Sequence, residues 1–434
     1  MICFGEVFFM RLDFNNSQII KHIQKAEFGL EKESLRVKPD GSLAHTQHPF
    51  LNDANIDRDF CENQIEIISN VFNSADELIE QLEGLHDRIF GTLAEKDEIL
   101  WPFSNPPVVQ GEEDVPVAEF TGELQSKSVY RRYLAEKYGK MKMLFSGIHF
   151  NFSFSSDLIE AVCSESGETE QECKNSLYME LAAKLVKYDW LIVYLTSASP
   201  VMDASFIRYS GFGENAGKIY SSVRCSKVGY WNDFIPVLDY SSVENYVNSV
   251  QKYIDGGKLK SVSELYYPVR IKPRGKNTLE ALTEKGINHV ELRTLDLNPL
   301  TRNGIFKEDI EFLHLFMLYL MSLEEELPDE NGQIASVLNI KKAAMYDDVN
   351  NCIECFGSKP IPLKTAALKE LEKIEAFSEK YLPGFLDVVA YQKAKIKDEN
   401  NRYAFRVRQL FEKNYVEKGI KLAKEYEKGV RLNV

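Results

Sequence analysis

The run SGIHFNFSF, residues 146–154, alternates without a break. Strand side chains point to opposite faces with period two. Ile148, Phe150, Phe152 and Phe154 therefore share one face, and Gly147, His149, Asn151 and Ser153 the other. This describes a two-faced sheet, with an apolar side for the core and a side of small or liganding polar groups. AEFGLEKESLRV, residues 26–37, has the same period and aligns Gly29, Glu31, Glu33, Leu35 and Val37. Two carboxylates side by side next to apolar residues need something to hold them there.

Two more segments share the pattern. In HVELRTLDL, Val290, Leu292 and Thr294 oppose His289, Glu291, Arg293 and Leu295. In ENQIEIIS, Ile65 and Ile67 oppose Glu62, Gln64 and Glu66, with Asp59 just before the strand. Any one of these faces reads as ordinary solvated surface. Together they gather Glu31, Glu33, Asp59, Glu66 and Glu291 with His149 and one cation, Arg293. Carboxylates about 4 Å apart repel by about 4 kcal/mol per pair at an effective dielectric of 20. A hard divalent cation with oxygen ligands removes that cost, and Mg²⁺ is typically held by a few carboxylates plus substrate phosphates. Zinc is disfavoured, because the cluster has one histidine and no cysteine at ligand spacing.

A chain of 434 residues is one large elaborated domain or two. Its net charge of −14 argues against nucleic acid as the main partner, since phosphate backbones select Lys/Arg stripes. No segment reaches the roughly 18 apolar residues of a spanning helix, so no membrane role is expected. MICFGEVFFM is short and lacks a basic flank or a cleavage site. It reads as an edge strand, or as a mis-assigned start with Met10 the true one, rather than as a signal peptide. Seven scattered cysteines fit a reducing cytoplasm better than a disulfide scaffold.

The spacing of Leu78, Ile79, Leu82, Leu85, Ile89 and Leu93 predicts a helix, with Ser74 and Glu77 as its capping pair. YMELAAKLVKYDWLIVYL is a second, mostly apolar helix, and YYPVRIKP a further strand. Residues 104–128 and 207–233 read as Pro/Gly-rich loops, the first a mobile one. From about residue 305 the chain turns helical. Strands and helices without a βαβ repeat imply an α+β fold rather than doubly wound α/β. GFGENA lacks the strand–helix context of a dinucleotide fingerprint, and GENAGKI lacks the spacing of a P-loop. Cys352 and Cys355 form a lone C-x-x-C on an expected helical stretch, with no second pair.

The strings GLEKESLRV, DFCENQIEIIS, VYRRYLAEKYG, SGIHFNFS, ELYYPVRIKPR and VELRTLDLNP occur in the order, and at about the separations, of one known family. From residue 26 to about 300 the chain resembles the bacterial glutamate–cysteine ligases of the enterobacterial type. The likeness fades after about residue 320, where the chain is also somewhat shorter, and the sequence does not include the ATP-grasp extension of the bifunctional enzymes. The resemblance implies a glutamine-synthetase-like active site on a curved antiparallel sheet. It implies a catalytic core over residues 10–320 and a helical region over 321–434 packed on it. It also implies ATP-dependent ligation of the L-glutamate γ-carboxylate to the L-cysteine amine with Mg²⁺, or Mn²⁺ in its place, by a cytoplasmic monomer or weak homo-oligomer. Glu31, Glu33, Asp59, Glu66, His149 and Glu291 would surround the metal or the substrate ammonium. Arg293, Glu31 and Glu66 would be catalytic, and Tyr130, Arg131, Asn151, Arg224, Tyr230 and Tyr266 would line the amino-acid pockets. The alternatives are a related γ-glutamyl ligase with another amine acceptor, and an inactive nucleotide- or amino-acid-binding homologue.

Overall fold

The computed structural model describes residues 12–213, 215–354 and 359–432. MICFGEVFFM and Cys355 lie outside them. Seven strands form one antiparallel sheet: β1 (Ala26–Val37), β2 (Ile56–Arg58), β3 (Gln64–Ile68), β4 (Ile99–Leu100), β5 (Gly147–Phe154), β6 (Val269–Lys272) and β7 (His289–Asp296). The order across it is β2-β3-β1-β5-β7-β6, and β4 pairs with the end of β1. The fold is α+β, with helices on the sheet's apolar side.

That side is the one given by the alternation. Phe150 stacks on Phe28 at 5.8 Å, and Phe154 on Tyr178 of helix Glu170–Thr196 at 5.4 Å. His314, from helix Lys307–Ser322, packs against both Phe28 and Phe152. Helix Ala75–Ala94 buries Leu78, Leu82, Leu85, Ile89 and Leu93 as its spacing requires. Ser74 is its N-cap but makes no side-chain bond, so Asp76 and Glu77 complement the helix dipole instead. The complete capping box is at Thr169–Glu172, heading the long apolar helix.

Polar residues also stand on this face of β1, where Lys32, Ser34 and Arg36 are all buried. Lys32 pairs with Ile148 across β1 and β5 and is buried. Its ammonium lies 2.6 Å from His86 Nε2, and burial together with Arg302 lowers its pKa to about 7. Gly304, at φ +78°, makes room for its stem, because a Cβ there would sit 2.8 Å from Lys32 Cε.

Several local expectations change. The loop over 207–233 contains the short helices Ala204–Ser210 and Ala216–Ile219. Cys352 lies in a two-stranded hairpin, β8 (Cys352–Ile353) with β9 (Ile361–Pro362), and not in a helix. Cys163 and Cys173 form a disulfide, with Cα atoms 5.9 Å apart. Helix Ser156–Ser166 ends at left-handed Gly167 and the next helix starts at Glu170, so the turn returns the second cysteine to the first. No helix of the described residues is long and apolar enough to cross a membrane.

Phe150→Ala should cost about 3–5 kcal/mol by leaving a cavity under the sheet centre, read as a lower chemical-denaturation midpoint.

Candidate active site

The polar face is assembled by strand register. Glu33 on β1 stands opposite Glu66 on β3, which stands opposite Asp57 on β2. Glu31 stands opposite His149 on β5, and Asn151 opposite Glu291 on β7, which stands opposite Arg270 on β6. Directly paired residues point to the same face, so the acids collect in one place. A cleft of about 460 Å³ opens over this face.

One irregularity interrupts the face at Arg293. Ile148 pairs with Leu295 and Phe150 with Leu292, so Arg293 and Thr294 both stand opposite His149 alone. This bulge ends the simple alternation. Leu295 joins the apolar face beside Ile148, contrary to the sequence reading, while Thr294 donates to buried Asp189 Oδ1 at 2.7 Å. Arg224 braces the bulge by donating to the Arg293 carbonyl at 2.9 Å and the Leu295 carbonyl at 3.3 Å. A side chain on Gly147 would collide with this guanidinium, which explains a glycine at the start of β5.

His149 is the hub. Its Nδ1 lies 3.1 Å from Glu31 Oε2 and 3.2 Å from Glu291 Oε1, and its Nε2 3.8 Å from Glu33 Oε1. Burial and Arg293 push the His149 pKa down, but hydrogen bonds to Glu291 and Glu31 win and hold it above its ordinary value. Glu291 is fully buried and receives Arg293 Nη1 at 2.5 Å, with Lys272 at 3.4 Å and Arg270 at 3.6 Å. Burial raises the Glu291 pKa; Arg293, Arg270 and Lys272 outweigh it and hold the acid ionised well below its usual range. Glu31 is opposed by burial and by Glu291, yet His149 and Lys272 bring it to about 2. On the β3 side cations are scarcer. Burial and then Asp59 raise Glu33, and burial with Asp59, Glu31 and Glu33 raises Glu66 well above the ordinary value.

This donor set fits a divalent cation. Glu31, His149 and Glu291 each present a ligand atom within 4.8 Å of the others. The His149 ring stands between carboxylates where such an ion would neutralise them. Glu33, Asp59 and Glu66 line the same cleft beside this trio.

Tyr130, Arg131, Arg224, Tyr230 and Tyr266 line the cleft as well. Tyr230 and Tyr266 touch ring to ring at 4.4 Å. Asn151 does not line it and instead donates its amide to Glu31 Oε1 at 3.2 Å. Arg270 and Lys272 were missed, although their alternation in YYPVRIKP placed both on one strand face. Asp57, Arg58 and Lys127 also line the cleft, and no local pattern marked them. The loop over 104–128 is tied down: the Ala118 N–H donates to the Phe60 carbonyl and the Glu62 N–H to the Pro116 carbonyl.

A family model described as glutamate-cysteine ligase matches residues 12–259 and 254–342, well over half of the sequence. The chain belongs to the glutamate-cysteine ligase family. It is 36% identical over 430 residues to a glutathione biosynthesis bifunctional protein of Listeria innocua, covering 95% of this chain and 56% of that protein. The corresponding protein of Clostridium perfringens is 33% identical over 421 residues, covering 93% and 54%. This family member thus spans about half the length of the curated relatives it matches. Among solved structures, a bifunctional glutathione synthetase from Pasteurella multocida superposes with a TM-score of 0.84 at 26% identity, covering 97% of this chain and 55% of that one. A glutamate–cysteine ligase from Francisella tularensis, solved with AMP, shares the fold with a TM-score of 0.84 at 24% identity, covering 94% and 89%. The likeness does not stop near residue 320, since the Listeria match takes in nearly the whole chain. The C-terminal helices carry apolar spacing and not site strings, so no motif announces them. The Listeria and Clostridium relatives are bifunctional, and six strings drawn from the site do not separate a stand-alone ligase from part of a longer one.

Because Glu66 holds its proton more tightly when folded, folding costs stability as pH rises from its ordinary pKa to the raised one. Glu31 and Glu291 act in the opposite sense and lose their contribution on acidification. Glu66→Gln should therefore stabilise the cation-free protein at pH 7 relative to pH 5, read as a higher melting temperature, while weakening Mg²⁺ binding by calorimetry.

Proposed function

We propose that the chain catalyses ATP- and Mg²⁺-dependent ligation of the L-glutamate γ-carboxylate to the L-cysteine amine, the first step of glutathione biosynthesis. The observation that carries this reading is the juxtaposition of Glu31, His149 and Glu291 with Arg293, Arg270 and Lys272 in one cleft. Acids there suit cations and substrate ammonium groups, and the arginines suit phosphoryl and carboxylate oxygens.

A carboxylate does not acylate an amine directly and must first be activated. The γ-carboxylate attacks the ATP γ-phosphorus, ADP leaves, and a γ-glutamyl phosphate remains. The cysteine amine then attacks the acyl carbon and expels phosphate. Divalent cations held by Glu31, Glu33, Asp59, Glu66, His149 and Glu291 would supply charge neutralisation for the triphosphate. Arg293, oriented by Glu291, stabilises the negative oxygens of the transferred group. Glu66, which lines the same cleft, is suited to take the amine proton. Tyr130, Arg131, Arg224, Tyr230 and Tyr266 orient the two amino acids, while Asn151 holds Glu31.

We assign the catalytic part to residues 10–320, with 321–434 as its helical support, in the enterobacterial-type arrangement of motifs. The consumption of ATP supports a cytoplasmic location, and the protein is taken as a monomer or weak homo-oligomer. Mn²⁺ should substitute for Mg²⁺, since both accept oxygen ligands.

Purified protein with Mg-ATP and L-glutamate should release ADP in an L-cysteine-dependent manner. ADP release independent of any amine would sink the reading, and a panel of other amines would reveal a different acceptor. Glu31→Gln should abolish turnover with an unchanged circular-dichroism spectrum. Arg293→Lys, which loses the planar fork, should lower kcat by about 100-fold or more.

A further inference from the structure

One cleft wall carries an arrangement that the reaction scheme leaves unused. Arg58, Lys127 and Arg131 all sit over the ring of Phe120, at 4.2, 5.0 and 4.6 Å from its centroid. The three cations line the cleft; Phe120 does not, and it is buried behind them. Three like charges so close repel, and each is compensated differently. Arg58 is committed to Glu62, with Nη1 at 2.6 and 2.9 Å from its two oxygens. Lys127 pairs with Asp57 at 3.6 Å. Among the described residues Arg131 forms no ion pair. Its Nε donates to the Asp59 carbonyl at 2.7 Å, and its remaining contacts, to the Arg58 and Lys127 carbonyls, are long at 3.4 and 3.5 Å. Arg131 therefore keeps donors open towards the cleft, and the aromatic face is its main stabilising contact besides one carbonyl.

Phe120 is itself fixed. Its N–H donates to Ser128 Oγ at 2.6 Å, and that hydroxyl donates back to the Phe120 carbonyl at 3.1 Å. Ser128 lies on helix Gln125–Tyr138, which also carries Tyr130 and Arg131. Arg58 Nη2 donates to the Glu119 carbonyl at 2.9 Å, and Cys61 bridges to Val117. The segment before Phe120 is thus bound to the chain around Asp59 on one side and to the helix on the other.

We propose that Phe120 is a positioning residue: its ring holds the Arg131 guanidinium, free of any carboxylate of the protein, in the orientation that receives the α-carboxylate of an amino-acid substrate. The inference rests on the reading of Arg131 as a substrate-binding residue given above. The ring replaces the acid that would ordinarily fix a half-buried arginine. An acid there would neutralise Arg131 and compete with the substrate carboxylate, whereas a π-face attracts the cation and leaves its in-plane donors available.

The test is a kinetic double-mutant cycle on the full chain. Phe120→Leu keeps apolar bulk and removes the ring. It should raise KM for glutamate or for cysteine by about five- to thirtyfold, with kcat changed less than about twofold. Phe120→Tyr, which keeps the ring, should restore KM to within about twofold of wild type. In an Arg131→Ala background, Phe120→Leu should add less than about twofold, because the two act through one contact. Unchanged KM values in Phe120→Leu, equal losses in the leucine and tyrosine variants, or the same factor in both backgrounds would overturn the proposal. An Arg131→Ala variant with both KM values unchanged would overturn the role of Arg131 instead, and this inference with it. If Phe120→Leu fails to fold, Phe120→Met under the same cycle gives the same decisions.

Discussion

The antiparallel pairing of β1 with β5 is the contact on which the rest depends. It sets Glu31 against His149 on one face and Lys32 against Ile148 on the other. A slip of one residue would send both glutamates into the core and the phenylalanines into the cleft. The core under Phe28, Phe150, Phe152 and Phe154 fixes that register, so apolar packing on one side determines the electrostatics on the other. The cost is a concentration of like charge on a half-buried face. The protein meets it unevenly, with cations around Glu291 and few around Glu66.

That unevenness divides the cleft into two chemical environments. On the β7 side, Arg293, Arg270 and Lys272 keep Glu291 ionised, and Glu31 stays ionised through His149. This half is prepared for fixed negative ligands. On the β3 side, Glu33 and Glu66 retain protons more readily, so this half is prepared to exchange them. The proposed ligation would use both, because one step moves a phosphoryl group between anions and the next removes a proton from an amine.

The cleft walls are built on other terms. Helix Gln125–Tyr138 and the loop before it supply Tyr130, Arg131 and Lys127, and they are held by cation–aromatic contacts and carbonyl bonds instead of strand pairing. Glu264, fully buried, receives Lys137 at 2.5 Å and Tyr138 at 2.7 Å, tying this helix to the segment that leads to Tyr266. Rigid strands thus hold the charge cluster, and separately anchored loops shape the space above it.

The sequence by itself determined the two faces of the central strands and the acids that share one of them. Period-two alternation is a local property, and Glu31, Glu33, Glu66, His149 and Glu291 are legible one strand at a time. It also exposed the apolar spacing of the longer helices. Only the tertiary structure decided which strands are neighbours, that a bulge turns Leu295 to the core, and that Asn151 serves Glu31. It also decided that Asp57, Arg58 and Lys127 line the cleft at all. Those facts depend on pairings between residues far apart in the chain, where no spacing in the sequence records which partner lies opposite.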